Sequence, residues 1–133
     1  MKKLILTLSV VLFSTLTFSQ TFPVETLFIL ENDLIIEEIE VDKLFYKAVD
    51  VRIDKDVVYL TFLDRDNQVL SKEVVSIESY DNLNNNRTIR GKSESNRHVV
   101  ITFTAYEELI IERGKSYKTF DFEESIFFFA SVN

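Results

Sequence analysis

The chain reads as all-β: a single antiparallel domain of about eight strands. Three observations point there. Short runs rich in Val, Ile, Phe, Tyr and Thr recur between polar marks built on Asn and Asp. Several of those runs alternate apolar and polar residues with a period of two. No segment shows a long, capped amphipathic helix. A sandwich and a closed barrel accommodate this strand number equally well, so both stay open.

The first residues predict an address rather than a strand. Met1, Lys2 and Lys3 form a basic head, Leu4 to Phe18 is mostly apolar, and Thr17 and Ser19 are small. That layout predicts a signal peptide over 1–19, cleaved between Ser19 and Gln20, with one β-domain over 20–133. The apolar stretch is short and rich in Ser and Thr, whereas a bilayer span needs roughly 20 apolar residues. The expected location is therefore outside the cytoplasm (periplasm, cell envelope or secreted), with no transmembrane segment in the mature chain. The sequence contains no cysteine, so the domain relies on packing and has neither disulfides nor a thiol for a lipid anchor.

With two glycines and one proline in the whole chain, the turns are read mainly from Asn and Asp, which tolerate left-handed backbone. The marks fall at Asn32-Asp33, Lys55-Asp56, 64–67, Asp81-Asn82 with 84–86, 94–96, Glu107-Glu108, Gly114 and Glu123-Glu124. Over 45–53, Phe45, Val49, Val51 and Ile53, with Lys47 the exception, predict a buried face, against Asp50 and Arg52, followed by Asp54, facing water. The run 57–63 is apolar on both faces, as is 126–130, which suits strands covered on both sides. The phrase from 57 to 77 predicts a hairpin with a four-residue loop at 64–67. Its return arm, 68–80, also places Leu70, Val74 and Ile77 at helical spacing, but its β-branched residues favour strand. Val99, Ile101 and Phe103 predict a core face, opposed by His98, Thr102 and Thr104.

Charge excludes one class of partner. The leader holds two lysines and no acid, so the net charge of −7 for the whole chain becomes −9 for the mature part. Phosphate contacts need clustered cations, which argues against nucleic-acid binding. One basic island interrupts the acidic chain: Arg87, Arg90, Lys92 and Arg97 against Glu94 alone. It is the candidate anion-binding surface, with His98 and Tyr106 beside it. The plainer alternative is that these cations offset neighbouring carboxylates.

Catalytic signals are absent from the pattern. His98 is the one histidine, no serine sits in a Gly-x-Ser-x-Gly elbow, and no glycine-rich loop could cradle a phosphate. One histidine and no cysteine cannot build a zinc site. The segment 64–67 begins like a calcium loop but has Val69 where the glycine belongs and Val75 at the closing acid. No metal or other cofactor is expected. The reading is a non-catalytic exported module that binds an unidentified protein or small molecule through Tyr, Phe and the basic island. Two alternatives stay open: a lipocalin-like carrier of a small apolar ligand, and a hydrolase using two of the many carboxylates. An outer-membrane barrel is opposed by the charged strand faces.

Overall fold

A computed structural model describes residues 18–31, 34–105 and 108–129. Nine strands occupy them: β1 (Phe18–Glu31), β2 (Leu34–Glu40), β3 (Ala48–Asp54), β4 (Val57–Leu63), β5 (Val69–Leu83), β6 (Asn86–Ser93), β7 (His98–Phe103), β8 (Glu108–Ser116) and β9 (Asp121–Phe129). A 3₁₀ turn, Val41–Lys43, lies between β2 and β3. The strands form one antiparallel sheet in the order β2-β1-β3-β4-β5-β6-β7-β8-β9, and β9 returns to pair with β1. That last pairing makes the fold a barrel rather than a sandwich. Eight strands form the ring, and β2 hangs outside it.

Strand β1 achieves closure because it is long. Its first part, up to Pro23, pairs with β3, and Val24 to Ile29 pair with β9. Along the β3 edge, Thr26 to Glu31 pair with β2 instead. The remaining strands follow as successive hairpins. Their turns therefore alternate between the two ends of the barrel. The β4–β5, β6–β7 and β8–β9 turns share one end with the β2–β3 connection.

The period of two decides what lies inside. Val49, Val51 and Ile53 from β3, Val58 and Leu60 from β4, Val99 and Ile101 from β7, and Leu109 and Ile111 from β8 are completely buried. With Phe22, Phe62, Phe103 and Phe128 they form one continuous core. Asp50, Arg52, Arg90, Lys92 and Glu112 occupy the opposite, outward phase of their strands. These charges interrupt the continuous apolar outer band that a membrane-spanning barrel carries. The run in β4 is covered on its outer face too, where Arg52 lies 4.4 Å from the centre of the Tyr59 ring. On β9, Phe127 is met outside by Phe28, ring centres 5.4 Å apart.

From Val69 onward the arm 68–80 is strand, within β5, and its β-branched residues outweigh the helical spacing of Leu70, Val74 and Ile77. The asparagine turns also form. Asn84 and Asn85 have φ of 54° and 66°, the pair of left-handed residues that a two-residue hairpin needs, and Lys55, Asn67 and Asn96 are left-handed as well. Asp64 Oδ1 accepts the N–H groups of Asp66 at 2.8 Å and Gln68 at 2.9 Å, so this carboxylate organises its own loop.

Three expected marks fall inside strands instead. Gly114 lies in β8 at a bulge opposite Phe122, where a Cβ would collide with the Asp121 carbonyl oxygen. The β8–β9 turn therefore comes later, before Asp121. Glu123 and Glu124 belong to β9, and Asp81 and Asn82 to β5. Gly91 is also mid-strand, in β6, where the Ser76 carbonyl leaves no room for a side chain. Phe45 departs from the expected core face: strand β3 begins only at Ala48, and Phe45 is 90% exposed. Its neighbours Leu44 and Tyr46 pack on the core in its place. The marks at Asn32-Asp33 and Glu107 lie outside the described residues.

Candidate functional site

At the end that carries the β6–β7 and β8–β9 turns, the barrel interior changes from apolar to charged. Arg113 continues the inward phase of Leu109 and Ile111, and Glu124 continues that of Ile126 and Phe128. The two are direct cross-strand partners. Glu73 arrives from β5 on the far side of the ring. Arg113 donates through Nε and Nη2 to Glu73 Oε1, at 2.9 and 2.6 Å, and through Nη1 to Glu124 Oε1 at 2.8 Å. Burial alone would lower the guanidinium pKa. The charges and hydrogen bonds of the two glutamates override that and raise it. The Phe62 ring lies 5.2 Å from the guanidinium carbon.

Tyr46, from the β2–β3 connection, packs edge-on against Phe62 with ring centres 5.1 Å apart. Burial pushes its phenol up to about 12; the charge of Arg113 opposes that rise and the charge of Glu124 adds to it. Above this layer Arg97, in the β6–β7 turn, donates to Glu124 at 3.3 Å and lies 3.5 Å from Glu123. The Ser93 and Ser95 hydroxyls are 2.9 Å apart, and Ser93 Oγ accepts the Arg97 N–H at 3.3 Å.

A pocket opens here because β5 outruns its neighbour. β6 pairs with β5 only from Val75 onward, so the stretch from Val69 to Val74 projects past the end of β6. The notch has a volume of about 360 Å³ and is lined by Phe62, Ser71, Lys72, Glu73, Ser93, Glu94, Ser95, Arg97, Arg113 and Glu124. Three acids, three bases and three hydroxyls line it. Such a surface suits a small ligand bearing both signs of charge.

The basic island does not converge. Arg97 alone reaches this pocket. Arg87 occupies the inward phase near the other end of β6, and burial lowers its pKa. Arg90 faces outward and is ion-paired with Asp81 at 3.0 Å. Lys92 also faces outward, opposite His98 on β7. His98 Nδ1 accepts the Tyr117 N–H at 3.2 Å, and the two rings are 4.7 Å apart. The Tyr117 hydroxyl donates to Glu78, and that bond is the main cause raising its pKa. Arg90, Lys92 and His98 thus share an outer wall with Tyr117. Tyr106 lies outside the described residues.

Arg113, Glu73, Glu124 and the serines were not singled out from the sequence, although a signal existed. A charge at the inward phase of an otherwise apolar alternation, as Arg113 stands after Leu109 and Ile111, marks a buried ion that needs partners. Among the described residues no three His, Asp or Glu side chains gather as metal ligands. No family model, curated protein or solved structure matches this chain.

Proposed function

We propose that this chain is an exported, non-catalytic binding module that takes a small polar ligand at the charged end of its barrel. One observation carries the reading: an interior packed with apolar side chains gives way, at one end, to an open pocket lined by paired charges and hydroxyls. The buried Arg113 clamp gives that pocket a rigid floor. The balanced lining favours a zwitterion over an anion.

The same geometry disfavours the alternatives. Positions that would line an apolar ligand cavity are filled by fully buried Val, Ile, Leu and Phe. Glu73 and Glu124 both accept from Arg113, so neither stands clear as a general acid or base. Export rests on the leader alone; cleavage after Ser19 would remove the first two residues of β1, which pair with β3, and leave its pairing with β9 whole.

Nuclear magnetic resonance titration with diglycine, and with inorganic phosphate as the anionic control, tests the reading. Diglycine should shift amides of 71–73 and 93–97, and Arg97→Ala should abolish the response. Scattered shifts, or a response to phosphate alone, would overturn it. Intact mass of the exported protein should show Gln20 as its first residue.

A further inference from the structure

Strand β2 is hydrogen-bonded to β1 along one edge, and among the described residues no strand pairs with its other edge. It stands away from the barrel. Leu34, Ile35 and Ile36 are 69%, 62% and 59% exposed, and on this strand Ile39 is the residue that packs toward the core. Folded proteins usually protect such an edge with bulges, prolines or covering segments. β2 carries one such irregularity, a register shift at Ile36, yet among the described residues three adjacent aliphatic side chains are left beside backbone donors and acceptors that no strand pairs. The connection that follows adds Val41 and the almost fully exposed Phe45. Open backbone and neighbouring apolar side chains are what strand addition uses: the first supplies hydrogen bonds and the second supplies selectivity.

Charge selects the occupant. Residues 20–42 contain seven acidic side chains and no Lys, Arg or His. Three of those acids, Glu37, Glu38 and Glu40, are on β2 itself and exposed. A second copy of this chain fits badly. Antiparallel pairing of β2 with β2 centred on Glu37 would set that carboxylate against its own copy, Ile36 against Glu38 and Leu34 against Glu40, with Ile35 against Ile39 the one apolar match. Centring on Ile35 matches aliphatic residues but pairs 34–36 alone and leaves the acidic half of the strand without a partner. Like charges directly opposite one another destabilise a strand pair. A strand with aliphatic residues opposite 34–36 and cations opposite 37–40 satisfies both halves of the edge.

We infer that the outer edge of β2 docks an extended segment of another protein, one in which a short aliphatic block adjoins a block rich in Lys or Arg. The segment adds to the sheet as a further strand, and this site is separate from the pocket at the barrel end.

Two synthetic peptides test it: Lys-Thr-Lys-Val-Ile-Val, which in antiparallel pairing sets its aliphatic residues opposite 34–36 and its lysine half opposite 37–39, and the same peptide with Glu in place of both lysines. Fluorescence anisotropy should show the lysine peptide binding the full chain, more weakly as salt is added. Hydrogen exchange should slow at β2 amides when it binds. The exposed double replacement Glu37→Lys with Glu38→Lys should weaken the lysine peptide by about tenfold and make the glutamate peptide the better ligand. Equal affinity for the two peptides, protection appearing elsewhere than β2, or a wild-type dimer held through β2 would each overturn the inference.

Discussion

Arg113 shows how one side chain ties distant elements together. Its guanidinium bridges β5 and β9 through Glu73 and Glu124, so the three charges depend on one another. Arg113→Met would leave Glu73 facing the barrel interior without its cation and Glu124 with Arg97 alone, and should cost about 3–5 kcal/mol in urea unfolding. Adding Glu73→Leu and Glu124→Leu should recover most of that loss, because the triple replacement removes the stranded charges as well. A triple variant no more stable than the single one would show that other contacts hold this end together. Tyr46 makes a pH prediction. Its pKa is raised from the ordinary 10.0 to about 12, so the folded state keeps the phenol proton that the unfolded state has released. The stabilisation is fully present below pH 10 and is lost as the pH climbs through that interval. Melts of wild type and Tyr46→Phe should therefore run in parallel below pH 10 and diverge above it, with wild type falling more steeply.

At the scale of an element, β7 expresses the alternation most fully. Val99 and Ile101 are wholly buried and Phe103 nearly so, while Thr102 on the opposite face is half-buried. Phe103→Ala should cost about 3–5 kcal/mol, because it removes a ring that packs against Phe22 and leaves a cavity in the core. Thr102→Ala should change stability by about 0.5 kcal/mol or less. Equal losses in denaturant unfolding would contradict the one-sided strand. The outer face is not uniformly wet, however: Val100 is also buried, at 6% exposure. Thr104 has a turn role, its Oγ1 accepting the Glu108 N–H at 3.0 Å. Both side chains face away from the core as the alternation requires, and their burial comes from neighbours that a pattern of two cannot specify.

For the whole molecule, the decisive contact is the one between its first and last strands. Val24 pairs with Phe128, more than a hundred positions away, and this seam converts an open meander into a barrel without exposed ring edges. A chain beginning at Gln20 keeps Val24 to Ile29 and should melt in one cooperative transition. A chain beginning at Ile29 loses most of the seam, and should show no such transition by circular dichroism. If both truncations melt alike, closure by β1 is not what makes the fold cooperative.

Much of this fold was legible in the residues because its rules are local. Side chains alternate across any strand, so Val49, Val51 and Ile53, like Val99, Ile101 and Phe103, declare one face wherever the strand is placed. Left-handed backbone is likewise a property of the single residue, and Asn67, Asn84, Asn85 and Asn96 marked their turns correctly. Barrel against sandwich was not legible, since closure depends on which strands meet across the whole chain. Gly114 misled for the same reason: it answers to the carbonyl of Asp121 on the neighbouring strand, as Gly91 answers to that of Ser76, rather than to a turn of its own. The basic island was visible as a cluster along the chain, but alternation and turn geometry send Arg87, Arg90 and Arg97 to three different places. The site itself belongs to register. Glu73 and Arg113 are 40 residues apart and meet only because the closed ring faces β5 toward β8, and the pocket exists because β5 extends beyond β6. Alternation and turn chemistry are set residue by residue; closure, ion pairing and the pocket are set by strand register, which only the assembled sheet defines.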